Sequence, residues 1–190
     1  MSNGEGITDD VRKREEEYFR QQDRELIERM RKAAQAEQAR KDLQNATGLN
    51  DPALLADLEA LGFTPHTIAL LPLVPLLQVA WAEGGVSAAE RTMITNLARS
   101  RGIEAGSPAD QQLTDWLDRQ PAAETFTKAQ RLISAILDQP AGGEMHLDAD
   151  DLLKRCEEIA AASGGLFGIG AVSAEERAAL QQLARQLKKG

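Results

Sequence analysis

The sequence predicts an all-α protein, in which a long charged helix precedes a body of shorter helices. Hydrophobic residues make up 42% of the 190 residues but aromatic residues only 4%, so the core must consist mainly of Leu, Ile, Val and Ala, a composition that favours helices. Apolar residues recur with the helical period, and no segment alternates as a half-buried strand would. A seventeen-residue stretch also occurs twice.

The first element is a long helix over residues 9–47, after a disordered segment at 1–8. Residues 9–43 contain no Pro or Gly and hold ten acidic and ten basic residues. Thr8 or Asp9 can cap the start, and Thr47-Gly48 marks the end. Apolar residues form one thin stripe, too narrow to hold the helix without the body, a twin or a partner. They are Val11, Tyr18, Phe19, Leu26, Ile27, Met30, Ala33 and Ala34.

The break at residues 48–52 (GLNDP) is the predicted start of a helical domain over 51–190. Helices are expected at 52–61, from Pro65 with Thr64 as its cap, from Ser87, from Ser107, at 125–137, at 148–162 and from Ser173. The apolar run at 68–82 is divided at Pro72 or Pro75. It is shorter than the ~18 residues of a membrane span, so a buried helix pair is the better interpretation.

The charge and the cysteine content narrow the class of protein. The net charge of −8 argues against nucleic acid as the main partner, because phosphate binding needs a positive surface. The single cysteine, Cys156, lies in an apolar helical row and is expected in the core. The N-terminus has no apolar stretch of a signal peptide, and the chain suits a reducing compartment. These features predict a cytoplasmic protein.

The repeat pairs GGVSAAERTMITNLARS (84–100) with GAVSAEERAALQQLARQ (170–186), which are identical at nine of seventeen positions. In each copy a Ser precedes a Glu by three residues, Ser87 with Glu90 and Ser173 with Glu176. This spacing predicts a capping box, in which the serine hydroxyl and the glutamate each bind the other residue's backbone amide. A duplicated helical hairpin with a glycine turn explains most of the identity.

The stretch LLPLVPLLQVAWAEGGVSAAER (70–91) resembles the TerB-like, tellurite-resistance-associated helical domain. That family's mark is an apolar helix ending in Ala-x-Ala-Asp/Glu-Gly, followed by Val-Ser-x-x-Glu-Arg at the next helix. The resemblance covers about residues 51–190. It implies a compact bundle of about seven helices in two pseudo-duplicated halves, a link to stress responses, and in some members metal binding by acidic residues.

The acidic residues of this resemblance define a candidate cation site at Glu83, Glu90 and Glu176. Hard cations such as Ca²⁺ take six to eight oxygen ligands, which three carboxylates could begin to supply. However, Glu83 stands where the family has aspartate, and its counterpart in the second half is Ser163. Capping also accounts for Glu90 and Glu176 without a metal.

Two further motifs have structural explanations. The glycine-rich GGLFGIG (164–170) follows a helix rather than a strand and lacks the Lys-Ser/Thr of a phosphate loop, so an anchored loop or partner-docking knob is expected. HLDADD (146–151) lacks the spacing of a calcium loop, and Asp148 is expected to cap a helix. Because no catalytic constellation or zinc spacing is visible, the chain is expected not to be an enzyme and to need no cofactor.

The N-terminal helix offers a second resemblance. KREEEYFRQQDRELIERMRK (13–32) is similar to the inhibitory stretch of the mitochondrial ATP synthase inhibitor protein, in which a charged helix enters the catalytic head. The similarity spans about twenty residues. The alternative is a solvated helix that packs on its own body or on a twin, as in a homodimer. The predicted partner-binding residues are Glu17, Tyr18, Phe19, Arg20, Leu26 and Met30.

The sequence thus predicts a binding or regulatory protein that acts through contacts of its N-terminal helix. Two alternatives remain: an ATP synthase inhibitor-like regulator, and a metal-responsive stress protein.

Overall fold

The computed structural model describes residues 5–139, 143–163 and 172–187; for residues 5–11, 13 and 163 it describes the backbone alone. The chain divides into two compact units, Met1–Lys41 and Asp42–Gly190. All regular secondary structure in the described residues is helical, which confirms the predicted all-α class.

The described residues of the first unit form the N-terminal part of a long helix, α1, which spans Glu5–Thr47. It begins four residues before the predicted start and ends at the predicted residue. Ion pairs one turn apart line its surface: Arg20–Glu16 at 3.6 Å, Lys32–Glu28 at 2.9 Å and Lys41–Glu37 at 2.7 Å. Exposed pairs of this kind contribute little to stability, because water and salt screen their charges. We call the stretch of α1 up to Lys41 the arm.

The second unit begins inside α1 rather than at the predicted break at 48–52. Leu43 and Thr47 are buried, as is Leu49. The chain that leads into α7 also binds the end of α1: the Met145 N–H donates to Ala46 O at 2.8 Å and the Glu144 N–H to Asn45 O at 3.1 Å. These bonds satisfy carbonyls that a helix end leaves without partners. The last turns of α1 therefore belong to the bundle.

Seven further α-helices follow in the described residues, as a bundle of about seven predicts. Asp148 caps its helix as predicted and accepts the Asp151 N–H at 2.7 Å. Asp51, which was not predicted as a cap, accepts the Ala53 N–H at 2.8 Å, and the helix predicted at 125–137 begins two residues earlier, at Ala123. The helices are α2 (Pro52–Ala60), α3 (Val74–Ala80), α4 (Ala88–Ser100), α5 (Pro108–Asp118), α6 (Ala123–Leu137), α7 (Ala149–Ser163) and α8 (Ala174–Leu187).

The predicted helix start at Thr64-Pro65 is wrong. Residues 64–67 form a turn, in which the Thr64 N–H donates to the Thr67 hydroxyl at 2.9 Å. A short 3₁₀ helix, Ile68–Leu73, follows the turn. The turn supplies the hydrogen bonds that a helix cap would have made.

The apolar run forms the centre of the bundle. It is divided as predicted, into the 3₁₀ helix containing Pro72 and helix α3, whose first turn contains Pro75. In a first turn the missing N–H of proline breaks no helical hydrogen bond. Every residue of α3 except Gln78 is buried, and α3 contacts α4, α6, α7 and α8. None of the described helices is long and apolar enough to cross a membrane.

Candidate functional site

Five large apolar side chains are exposed among the arm residues whose side chains the structure describes, and we call these five the arm surface. The exposed fractions are 60% for Tyr18, 63% for Phe19 and 65% for Met30, with Leu26 and Ile27 about half exposed. Phe19, Leu26 and Met30 are spaced by seven and four residues, so they lie along one stripe of the helix. Apolar groups left in water in this number favour burial against another surface.

The aromatic pair of the arm surface is flanked by charge. The rings of Tyr18 and Phe19 meet edge to face, with centroids 5.9 Å apart and planes at 71°. Arg20 pairs with Glu16 rather than Glu17, and Glu17 is exposed. Aromatic residues beside arginine are typical anchors of protein interfaces. All six predicted partner-binding residues are exposed on the arm, and Ile27 adds an apolar group beside them.

The second candidate is the acidic set, and Glu90 is its best-defined member. Glu90 is 2% exposed. Its Oε2 accepts the Ser87 N–H at 2.7 Å, and the Ser87 hydroxyl accepts the Glu90 N–H at 3.2 Å. This is the predicted capping box. The other carboxylate oxygen, Oε1, is buried without a hydrogen-bond partner, which is costly for a charged group.

Glu176 repeats this arrangement at the start of α8. It is 1% exposed, its Oε2 accepts the Ser173 N–H at 2.8 Å, and the Ser173 hydroxyl accepts the Glu176 N–H at 3.1 Å. Both copies of the repeat therefore form the predicted capping box.

The two buried carboxyl groups interact electrostatically. Burial raises the pKa of Glu90, the hydrogen bonds from Ser87 oppose the rise, and the negative charges of Glu176 and Glu83 add to it. The repeat therefore brings like charges close enough to affect each other in a dry environment, which favours a proton on Glu90.

These acids do not form the predicted cation site. Among the residues that the structure describes, Glu83, Glu90 and Glu176 included, no three His, Cys, Asp or Glu side chains are grouped so that they could hold a metal ion. Each capping glutamate commits one oxygen to a backbone amide.

In the first copy of the repeat, the repeated residues Arg91, Arg99 and Gly84 stabilise the fold. Arg91 donates to Leu117 O at 2.8 Å and pairs with Asp118, which joins α4 to the end of α5. Arg99 pairs with Asp110 at 2.6 Å, which joins α4 to the start of α5. Gly84 has a φ of +83°, a conformation that favours glycine. The sequence showed the repeat, but not these contacts between helices.

A cleft of about 320 Å³, which was not predicted from the sequence, lies beside α4 and α7. Its apolar lining includes Leu76, Met93 and Ile159. Its positive group, Arg155, donates to Glu158 at 3.1 Å and lies 3.5 Å from the Asp151 carboxylate. Because two carboxylates already neutralise this guanidinium, the cleft is poorly suited to an anionic ligand.

The remaining predicted motifs fall into two groups. Residues 164–170, the predicted docking knob, lie outside the described residues. In HLDADD, Asp148 caps α7 as predicted, and Asp151 faces Arg101 and Arg155. Cys156 is fully buried, as predicted, and burial raises the pKa of its thiol to about 12.

Comparison with known proteins returned no match: no family model fits the chain, and neither a curated protein nor a solved structure is significantly similar to it.

Proposed function

We propose that the protein is a non-enzymatic interaction protein of the cytoplasm, in which a TerB-like bundle carries the arm and the arm binds a protein partner. The exposed arm surface is the observation that carries this proposal. A helix that stays in water is usually polar on all sides. Tyr18, Phe19 and Met30, each at least 60% exposed, would instead be stabilised by burial in a partner.

The TerB-like assignment of the bundle rests on the sequence motif and on the two capping boxes that follow it. A binding role also agrees with the low reactivity of the buried thiol and the structural role of the buried glutamates in the bundle. A thiol with a pKa of about 12 is not a nucleophile at neutral pH, and the buried glutamates hold helix starts.

The test compares three full-length chains immobilised in equal amounts: wild type, Tyr18→Ala with Phe19→Ala, and a control with Gln21→Ala and Gln22→Ala. Extracts of the native cells are passed over each, and retained proteins are identified by mass spectrometry. We expect one protein that wild type and the control retain and the aromatic variant loses. Equal retention by all three chains would contradict the proposal.

A regulator of ATP synthase is the second candidate, because Glu17, Tyr18, Phe19 and Arg20 are all exposed on one continuous helix. An inhibitory helix must present these side chains to the catalytic head. The test is steady-state ATP hydrolysis by the purified head with added chain. Inhibition that Tyr18→Ala with Phe19→Ala removes would support this candidate, and unchanged hydrolysis would eliminate it.

A further inference from the structure

The two halves of the arm carry opposite net charge. Residues 9–25 hold seven acidic and five basic residues, whereas residues 26–41 hold two acidic and five basic residues. The arm surface lies across the point where the sign changes, between Tyr18 and Met30. The helix is therefore negative at one end, positive at the other and apolar in the middle.

This distribution of charge is complementary to itself only when two copies run in opposite directions. In a parallel pair, like-charged halves would lie side by side. In an antiparallel pair, the acidic half of each copy lies along the basic half of the other. Opposite charge across a helix pair sets the partner and its orientation.

We propose that the arm pairs with the arm of a second copy of this chain as an antiparallel two-helix coiled coil. This inference rests on the proposed function, since it names the partner of the arm surface. With the pair centred between Arg24 and Glu25, Phe19 lies opposite Met30 of the second copy.

One polar residue, Asp23, lies close to the apolar stripe in this register and destabilises the pair. Asp23 is four residues from Phe19 and three from Leu26, so it lies near the apolar stripe. A polar residue at such a position weakens a coiled coil while fixing its register. Tyr18 lies at the side of the stripe formed by Phe19, Leu26 and Met30.

The first part of the test measures self-association of the purified full chain by sedimentation equilibrium, over concentrations from micromolar to millimolar. We expect a monomer–dimer equilibrium that weakens as salt is added, because exposed charge pairs are screened. Phe19→Ala with Met30→Ala should weaken the dimer at least tenfold. The control, Gln21→Ala with Gln35→Ala on the opposite face of the helix, should leave it unchanged.

The second part reads the orientation by disulfide cross-linking of Phe19→Cys and Met30→Cys chains. In an antiparallel pair, position 19 of one copy faces position 30 of the other, whereas identical positions are eleven residues, or about 16 Å, apart. A mixture of the two variants should therefore cross-link faster than either variant alone. A parallel pair predicts the reverse. Wild type is the control, since its buried thiol, with a pKa of about 12, stays unreacted.

Four results would overturn the inference: a monomer at every concentration, a higher oligomer, a dimer unaffected by Phe19→Ala with Met30→Ala, or faster cross-linking between identical positions. None of them contradicts the proposed function, which is tested separately by whether Tyr18 and Phe19 are needed to retain a protein from the cell extract. If the arm retains a protein from the extract but the chain does not dimerise, the arm binds other proteins and not a second copy.

Discussion

Glu90 shows how one residue carries two opposed effects. Its carboxylate caps α4, and the positive end of the helix favours its charge, yet it is buried with one oxygen unpartnered. Burial raises its pKa above the ordinary value of 4.5. The folded chain thus binds this proton more tightly than the unfolded chain does. Protonated Glu90 therefore adds to the free energy of unfolding below pH 4.5. This contribution is lost as the pH rises through the raised pKa.

Glu90→Gln should therefore gain free energy of unfolding relative to wild type as the pH rises from 4.5 to about 8. The amide oxygen can still accept the Ser87 N–H, but the side chain carries no buried charge. Urea unfolding across this range measures the difference, with the exposed Glu104→Gln as the control. A difference that stays constant with pH would contradict the raised pKa.

The serines of the two capping boxes can be tested separately. Ser87→Ala and Ser173→Ala each remove an acceptor for a glutamate N–H, and each should lower the free energy of unfolding by about 1 kcal/mol. Thr92→Ala, at an exposed position in α4, is the control and should cause no loss. If neither serine variant loses stability, the repeat is not explained by capping.

Gly143 makes a close approach that the sequence did not reveal. A Cβ at this position would lie 2.5 Å from Gly48 N and from Thr47 C, so the backbone would have to move. Gly143→Ala should therefore cost about 1–3 kcal/mol, as overpacking does. Gly85→Ala is a matched control, because a Cβ there meets no atom within 4 Å. Equal stability of the two variants would contradict the close packing at Gly143.

At the scale of the element, α1 serves two units. Up to Lys41 it is held by its own surface pairs, whereas Leu43 and Thr47 belong to the core of the bundle. Such a helix should protect its backbone amides unequally, because stability follows local packing.

Truncation tests this division. Removal of residues 1–41 should leave the urea midpoint of the bundle unchanged, whereas removal of residues 1–47 should lower it, since Leu43 and the hydrogen bonds to Asn45 and Ala46 are lost. Fluorescence of Trp81 and Trp116 follows the transition, because both lie in the second unit. Equal effects of the two deletions would contradict the boundary at Lys41.

At the scale of the molecule, periodicity and punctuation predicted the α-helices of the described residues, but one further predicted start, at Thr64-Pro65, was wrong. Capping serines and prolines act within a few residues of themselves, so Ser87, Ser173 and Pro75 have the places that local rules assign them. The Thr64-Pro65 start was wrong because only a single turn forms there, closed by the Thr67 and Ile68 N–H groups on Thr64 O, before the 3₁₀ helix begins at Ile68.

Contacts between distant residues could not be predicted in this way. The pairing of residues 143–145 with the end of α1 and the proximity of Glu90 to Glu176 depend on how helices pack, which no single segment encodes. The arm surface could be predicted, because a thin apolar stripe on a charged helix is visible in the sequence and the structure leaves it exposed.

The arm surface is proposed to serve interaction and not the stability of the bundle. The most direct test is urea unfolding of Tyr18→Ala with Phe19→Ala, followed by the fluorescence of Trp81 and Trp116 at a protein concentration low enough to prevent self-association. We expect the variant to have the same free energy of unfolding as wild type. A loss of about 3 kcal/mol or more, as for truncated core aromatics, would show that these side chains belong to the core and contradict the account.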